Sequence, residues 1–155
     1  EEVFPPHLKR EEIPLYLSQL KANAYLDLID EDTIVITADT IVWCEDQLLE
    51  KPKDKTQAKQ MLRFLSGKTH SVYTGVTLLS KQKSKSFFAE SKVTFSDLSD
   101  EEINYYVEKY NPIDKAGAYG VQEWIGYIAV KKIEGSYYNV MGLPIQLLYN
   151  ELKTF

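Results

Sequence analysis

The stretch TIVITADTIVWCEDQLLEKP, residues 33–52, decides how the rest of the chain is interpreted. Its first six residues are β-branched or small and apolar, which predicts a strand buried on both faces. Asp39 then interrupts the run, and an ionisable carboxylate where an apolar strand ends is costly to bury without a partner. The apolar pattern resumes after Thr40 and stops at an acidic turn, so the stretch predicts a strand, a hairpin and a return.

The return of this hairpin supplies one candidate partner for Asp39. It could bring Lys51 back toward the carboxylate, which favours a functional interpretation of both residues. The alternative is that Asp39 accepts hydrogen bonds from turn amides while Lys51 is a solvated surface residue. The residues of this stretch alone favour neither interpretation.

Length and composition indicate one ordinary globular domain. The chain has 155 residues, of which 44% are hydrophobic and 26% charged, and no apolar run approaches the length of a membrane span. The net charge of −5 disfavours non-specific binding to nucleic acid, which needs a basic face. It does not exclude a small anionic ligand, because an acidic protein can still line a pocket with lysines.

The cysteine and histidine content excludes several kinds of site. Cys44 is the only cysteine, which rules out an intramolecular disulfide and a multi-cysteine zinc site and favours a reducing, cytoplasmic setting. Its place in an apolar run predicts a core residue. Only His7 and His70 are present, so no histidine metal cluster can form, and we expect His70 to be a hydrogen-bonded structural residue.

The order of predicted elements indicates a mixed α/β domain with helices flanking a twisted, partly antiparallel sheet. Lys21 lies within the first predicted helix, which begins at Pro14 and ends near Leu28. The later predictions are a helix over 57–65 capped by Thr56, strands over 69–80 and 87–95, a helix over 100–109 with a capping box at Ser99 and Glu102, a strand over 127–133 and a final helix after Pro144.

A second unusual stretch is DKAGAYGVQ, residues 114–122. Two glycines and two alanines within a few residues indicate that the backbone approaches another element or a ligand closely. One interpretation is a loop packed tightly on the core. The other places Lys115 and Gln122 at the border of a pocket.

Five blocks together resemble the Maf family of nucleoside triphosphate pyrophosphatases, once described as septum-formation inhibitors. They are ADTIV (38–42), EKP (50–52), LSGKTHSVYTGV (65–76), DKAGAYGVQ (114–122) and GSYYNVMGLP (135–144). One block would be weak, but five in the family's order are specific. The resemblance implies a single Maf-like domain over residues 1–155, with a deep cleft in the Maf and ITPase-like fold.

The resemblance also implies roles for individual residues. Asp39 matches the catalytic carboxylate, which accepts a proton from water and helps to bind a divalent metal, Mg²⁺ or Mn²⁺. Lys51 and Lys21 match basic pocket residues, and Glu2 matches an acidic residue near the metal. The implied reaction cleaves between the α- and β-phosphates of a nucleotide, and the family implies a homodimer.

Two positions resemble the subfamily that prefers dTTP and UTP. Members of that group carry Asp-Thr followed later by Gln, as here at Thr40 and Gln122, whereas the group acting on 7-methyl-GTP tends to have Asp-Gln and a Glu. An amide can satisfy both donor and acceptor edges of uracil or thymine, which a carboxylate cannot. We therefore expect a pyrimidine nucleotide as substrate.

The sequence departs from the family pattern at its beginning. Family members open with a strand and a Ser-x-Ser-Pro-Arg-Arg-like loop that binds phosphate, and no such motif is present here. Either residues are missing before Glu1 or the protein is a truncated homologue. We expect missing residues, because the remaining motifs are intact.

Two other functions compete with the pyrophosphatase. One is a nucleotide-binding regulator of cell division and septum formation that senses its ligand without turnover. The other is an inactive fragment. Asp39, Lys51 and Lys21 favour the enzyme, because a sensor has no need of a carboxylate that activates water.

Overall fold

The structure is a computed structural model that describes residues 2–155. Its helices and strands, in chain order, are α1 (Glu12–Asn23), β1 (Val35–Cys44), β2 (Gln47–Leu49), α2 (Lys55–Leu65), β3 (Thr69–Leu79), β4 (Ser84–Phe95), α3 (Asp100–Tyr110), α4 (Trp124–Ala129), β5 (Val130–Glu134), α5 (Tyr137–Met141) and α6 (Ile145–Thr154). Within residues 2–155, no helix is both long and apolar enough to cross a membrane.

The five strands form one open sheet in the order β2-β1-β3-β4-β5, and every neighbouring pair is antiparallel. The predicted α/β class is therefore confirmed. The long central strand β3 pairs along its whole length with β4 and along most of its length with β1. This pairing fixes the register of β1, the strand that carries Asp39.

Strand β1 continues through Asp39, so the predicted interruption is wrong. Asp39 pairs with Gly75 of β3, and the ladder extends without a break on either side of this pair. The strand does not need to end there, because the Lys21 side chain reaches Asp39 from α1. The predicted turn and return are confirmed, with Glu45 and Asp46 in left-handed backbone conformation before β2.

Two helix boundaries differ from the predictions. Helix α1 ends at Asn23, and the next residues form short turns that leave Leu28 exposed rather than extending the helical stripe. Helix α2 begins at Lys55, because the side chain of Asp54 accepts a hydrogen bond from the backbone N–H of Gln57. The predicted cap, Thr56, lies inside the first turn.

The predicted strand over 127–133 is half helix. The short helix α4 precedes β5, because Ile125 and Ala129, four residues apart, both face the core. By contrast, the predicted capping box of α3 is confirmed: Ser99 Oγ accepts from the N–H of Glu102, and Glu102 Oε1 accepts from the N–H of Ser99. Each residue of the box satisfies a backbone donor that the helix leaves unpaired.

The two faces of the sheet are covered differently. Helix α1 packs Ile13 and Leu17 on the face that presents Ile41 and Tyr73. The other face presents Val42 and packs against the larger cluster that includes α2, α3 and α4, and α6 packs farther along the same face. Cys44 lies buried in that larger cluster, so the prediction of a core cysteine is confirmed.

Gly75 allows α1 to lie directly on the sheet. A Cβ atom at this position would stand 2.4 Å from the backbone carbonyl of Pro14 and 2.5 Å from the backbone nitrogen of Leu15. These are backbone atoms, which cannot rotate away. Gly75, inside the predicted strand over 69–80, therefore marks a close backbone approach, and the approaching element is α1.

His70 is buried among aromatic rings on the other face. Its Nε2 lies 2.6 Å from the hydroxyl oxygen of Tyr119, and its ring makes edge contacts with Phe95 and Tyr119. His70 is thus the hydrogen-bonded structural residue that the sequence predicts. Burial lowers the pKa of His70 from 6.5 to about 4.

We expect Gly75→Ala to destabilise the fold by about 2 kcal/mol, because α1 must move off the sheet to admit the methyl group. Urea unfolding at neutral pH measures this change. A free energy of unfolding within about 0.5 kcal/mol of the wild-type value would show that α1 adjusts without cost.

We expect His70 to make the fold sensitive to acid. Between pH 6.5 and about 4 the unfolded chain binds a proton at His70 and the folded chain does not, so its contribution to stability is complete above this window and is lost as the pH falls. The full loss corresponds to about 3 kcal/mol.

The comparison is urea unfolding of the wild type and His70→Gln at pH 7, 6, 5 and 4.5. The wild type should lose stability faster than the variant as the pH falls, because only the wild type carries this histidine. Parallel curves for the two proteins would contradict the assignment.

Candidate active site

Asp39 lies almost buried on the face of β1 that α1 covers, with 9% of the residue exposed. Its partner is Lys21, in the last turn of α1, whose Nζ lies 2.6 Å from Asp39 Oδ1. The same Nζ lies 2.9 Å from Oε1 of Glu2. One ammonium thus holds two carboxylates, and we call these three residues the charged triplet.

The charged triplet shifts the pKa of each member. Burial raises the pKa of Asp39, and the Glu2 carboxylate adds to the rise, while the bond from Lys21 opposes it. The Lys21 bond lowers the pKa of Glu2 against the effect of burial. Burial acts against the ammonium of Lys21, but its two carboxylate partners outweigh this and raise its pKa.

The two carboxylates of the triplet fit the predicted divalent metal. Mg²⁺ in nucleotide-processing sites is held by one or two carboxylates together with substrate phosphates, not by a complete protein cage. Residues 2–155 contain no cluster of three His, Cys, Asp or Glu side chains arranged to hold a metal ion. Asp39 and Glu2 already converge on one cation, the Lys21 ammonium, within 3 Å.

A cavity of about 230 Å³ lies on the opposite face of the sheet. It is bounded by β1, β3, the loop over 114–122, α5 and Gly142, the residue that follows α5. Its polar side chains belong to Thr40, Lys51, Lys115, Tyr119 and Gln122. Pockets for whole small ligands usually measure about 300 to 1,000 Å³, so this cavity suits one part of a ligand, such as a nucleobase.

The two sites lie on opposite faces because Asp39 and Thr40 are consecutive in one strand. Successive side chains of a strand point to opposite faces, so the cavity receives Thr40 while α1 covers Asp39. The sequence pairs these residues in one motif, but the structure separates them into the charged triplet and the cavity.

Lys51 links the two sites at the edge of the sheet. Strand β2 pairs with β1 only from Val42 to Cys44, and no other strand of residues 2–155 borders the outer side of β1. Lys51 follows β2 in the direction of this open edge and lines the cavity. Its positive charge also contributes to the lowered pKa of Glu2, so its field reaches the charged triplet.

Lys115 and Gln122 both border the cavity, which favours the pocket interpretation of residues 114–122. The Lys115 ammonium lies 3.5 Å from Asp114 and 3.8 Å from Glu123, so its charge is partly offset by neighbouring carboxylates. Gln122 is exposed, so its amide is available to a ligand.

The wall formed by α5 is tied to the sheet through Asn139, which is fully buried. Its Nδ2 donates to the carbonyl of Val72 at 3.2 Å and to Ser91 Oγ at 3.0 Å. Ser91 Oγ in turn donates to the carbonyl of Ser136, at the start of α5. These bonds join α5 to both β3 and β4.

Sequence reasoning assigned no role to Asn139, Thr74, Tyr119 or Gly142, which build or hold the cavity. All four belong to the blocks that carry the family resemblance, 65–76, 114–122 and 135–144. The signal was therefore present, but it marked these blocks as family motifs without indicating which side chains meet.

Comparison with known proteins finds a matching family and named relatives. The family model described as "Maf-like protein" matches residues 1–155. A relative named dTTP/UTP pyrophosphatase from Bacteroides thetaiotaomicron is 58% identical over 153 residues, which cover 99% of this chain and 79% of the relative. Relatives with the same name from Porphyromonas gingivalis and Flavobacterium johnsoniae are 54% and 50% identical, again over 99% of this chain and over 78% and 79% of their own lengths. By the match of its entire length, the chain belongs to the Maf-like protein family.

Proposed function

We propose that the protein is a nucleoside triphosphate pyrophosphatase that hydrolyses dTTP and UTP to the monophosphate and pyrophosphate. The observation that carries this proposal is that consecutive residues of β1 contribute to a base-sized cavity on one face of the sheet and to a group of charged residues on the other. The names of the relatives support it and favour turnover over the alternative of a regulatory binding protein.

The geometry suggests how one nucleotide can use both sites. The base lies in the cavity beside Thr40 and Gln122, and the phosphates extend past Lys51, which lines the cavity and offers a positive charge. The reacting phosphates then reach Lys21 and Asp39 on the other face. A triphosphate carries several negative charges, so successive lysines along this path lower its energy.

Asp39 is the residue we assign as the base that takes a proton from the attacking water. Its carboxylate is nearly buried and is held at one oxygen by Lys21, which fixes its orientation. The ammonium of Lys21 also opposes protonation of Asp39. Water adds across the α–β phosphoanhydride, so no covalent intermediate with the protein is needed.

Asp39 and Glu2 are the residues that would hold a divalent metal, Mg²⁺ or Mn²⁺. When bound, the metal would neutralise the part of the phosphate charge that the lysines do not neutralise. Lys21 now occupies the position between the two carboxylates, and phosphate oxygens give its ammonium an alternative partner. Carboxylate and phosphate oxygens are the ligands that both metals accept.

The family resemblance further supports a homodimer. The single cysteine of this sequence favours a reducing, cytoplasmic setting. Size-exclusion chromatography with light scattering measures the oligomeric state directly.

We expect Asp39→Asn to lower pyrophosphate release from UTP at least about 100-fold while UTP binding is largely kept, because the amide cannot accept the proton. Initial rates and equilibrium binding of UTP separate the two effects.

A matched control is Glu108→Gln on α3. This change neutralises a surface carboxylate that pairs with two lysines, Lys55 and Lys59, and that belongs to neither site. This variant should keep its turnover. Wild-type rates in Asp39→Asn would remove Asp39 from the role of base.

We expect Gln122→Glu to lower kcat/KM for UTP and dTTP by about tenfold and to leave ATP and GTP less affected, because a carboxylate cannot donate to a base carbonyl. Gln57→Glu, the same change on α2 outside the cavity, is the control. If Gln122→Glu keeps its selectivity among the four nucleotides, Gln122 does not determine the base.

A further inference from the structure

A groove of about 470 Å³ lies on the face of the sheet that α1 covers, beyond the beginning of this helix. Pockets for small ligands measure about 300 to 1,000 Å³, so the groove can hold a whole small molecule. It shares no residue with the charged triplet or with the cavity beside Thr40. We call it the sheet groove, and its lining includes Arg10, Trp43, Ser71, Tyr73, Glu90 and Lys92.

The register of the sheet brings the floor of the sheet groove together. Ser71 of β3 pairs with Trp43 of β1 on one side and with Lys92 of β4 on the other. The next pair on this face joins Tyr73 to Glu90. Partners across an antiparallel pair share a face, and so do alternate residues of one strand. The five side chains therefore point to the same face of the sheet.

The charged side chains at the rim of the groove already have partners. The guanidinium of Arg10 lies 3.3 Å from Asp46 Oδ1, in the turn between β1 and β2. Glu45 of the same turn lies 3.5 Å from the ammonium of Lys68. Each pair is neutral, so the rim offers a ligand no net charge.

Two opposite charges of the groove have no such partner. Within residues 2–155, neither Glu90 nor Lys92 has an opposite charge within 4 Å. Lys92 acts on Glu134 only from farther away, since the pKa of Glu134 is lowered first by Lys132 and then by Lys92. The groove therefore presents one carboxylate and one ammonium to a ligand.

The neighbours of Glu90 in the groove are neutral hydroxyls. The Ser71 hydroxyl lies 3.5 Å from Glu90 Oε1. Burial, with a contribution from Glu90, raises the pKa of Tyr73 to about 12, so its hydroxyl keeps its proton at neutral pH. Hydroxyl groups can orient the carboxylate without neutralising it. Glu90 is half-buried, so a cation beside it interacts more strongly than one in bulk water.

Trp43 supplies an aromatic surface beside these charges. It is half-buried and packs against the cluster that holds Ile13 and Leu17 of α1, which supports the ring from one side. An indole ring favours contact with an apolar or aromatic group of a ligand and also attracts an ammonium over its face.

We propose that the sheet groove binds a free amino acid with an aromatic or apolar side chain. Its ammonium lies beside Glu90, its carboxylate beside Lys92 and its side chain against Trp43. Glu90 and Lys92 stand two residues apart on one face of β4, about 7 Å between their Cα atoms, and one carbon atom joins the two charged groups of an amino acid. A purely anionic ligand would meet Glu90 and a purely cationic one would meet Lys92, so each is disfavoured. The inference does not depend on the proposed function.

The test is an NMR titration of the isotope-labelled protein with L-phenylalanine, followed at the indole N–H of Trp43. Trp124, the other tryptophan, packs in the cluster on the opposite face and serves as the internal reference. L-phenylalanine should shift the Trp43 signal saturably with a Kd of about 1 mM or lower. Phenylethylamine lacks the carboxylate and phenylpropanoate lacks the ammonium, so each should bind at least about tenfold more weakly.

Two substitutions should change these preferences in opposite ways. Glu90→Gln removes the partner of the ammonium, so it should abolish the preference for L-phenylalanine over phenylpropanoate and keep the preference over phenylethylamine. Lys92→Gln removes the partner of the carboxylate and should do the reverse. A general loss of structure would not produce this crossed pattern, because it would weaken all three ligands alike.

The matched controls are Glu108→Gln on α3 and Lys153→Gln on α6, which remove the same charges outside the groove. Both should keep the wild-type affinity ratios.

Three results would overturn the proposal. The first is the absence of a saturable shift of the Trp43 signal below about 20 mM L-phenylalanine, or an equal shift of the Trp124 signal. The second is equal affinity of the wild type for all three ligands. The third is a pair of Glu90→Gln and Lys92→Gln variants that keep both wild-type affinity ratios.

Discussion

The pleat of β1 is the constraint on which the arrangement of the molecule depends. Because successive residues of a strand face opposite sides, Asp39 and Thr40 serve two different surfaces of the sheet. The charged triplet forms under α1, and the cavity forms under α5. A shift of one residue in the register of β1 would exchange the two side chains and destroy both sites at once. The long pairing of β1 with β3 makes such a shift costly.

Helix α1 connects this constraint to the charges. It can bring Lys21 to Asp39 only because Gly75 lets its first turn lie against β3. Gly75 and Lys21 are thus parts of one arrangement, although the sequence offered Lys51 and not Lys21 as the candidate partner of Asp39. The packing of α1 on the sheet positions its last turn, and this turn carries the Lys21 ammonium that lies beside the Asp39 carboxylate.

The sequence predicted the features that depend on local chemistry or on family motifs. The α/β class, the capping box at Ser99, the buried Cys44 and the place of Lys115 and Gln122 beside a pocket are of this kind. It did not predict that β1 runs through Asp39, because the partner that allows this, Lys21, lies 18 residues away on another element. Because the predicted strand stopped at Asp39, the sequence did not predict the alternation of side chains that places Asp39 and Thr40 on opposite faces of the sheet.

The bonds that shape the cavity are still less visible in the sequence. Thr40 meets the carbonyl of Gly142 across 102 residues of chain, and Asn139 meets Val72 across 67. No periodicity or composition encodes such contacts, because they arise only when α5 packs on the sheet. The errors in helix boundaries have a simpler origin. Asp54 caps α2 in place of the predicted Thr56, and the buried apolar pair of α4 makes a helix where the sequence predicted the beginning of a strand.

In the described part of the chain, residues 2–155, no strand other than β2 borders the outer side of β1. Unpaired strand edges expose backbone donors and acceptors and invite pairing with a strand of another molecule. Charged side chains on or beside an edge discourage such pairing, and here Asp39, Lys21 and Lys51 stand close to it. For a chain of these residues, the charges assigned to phosphate chemistry therefore also oppose aggregation, so neutralising them would lower solubility as well as turnover.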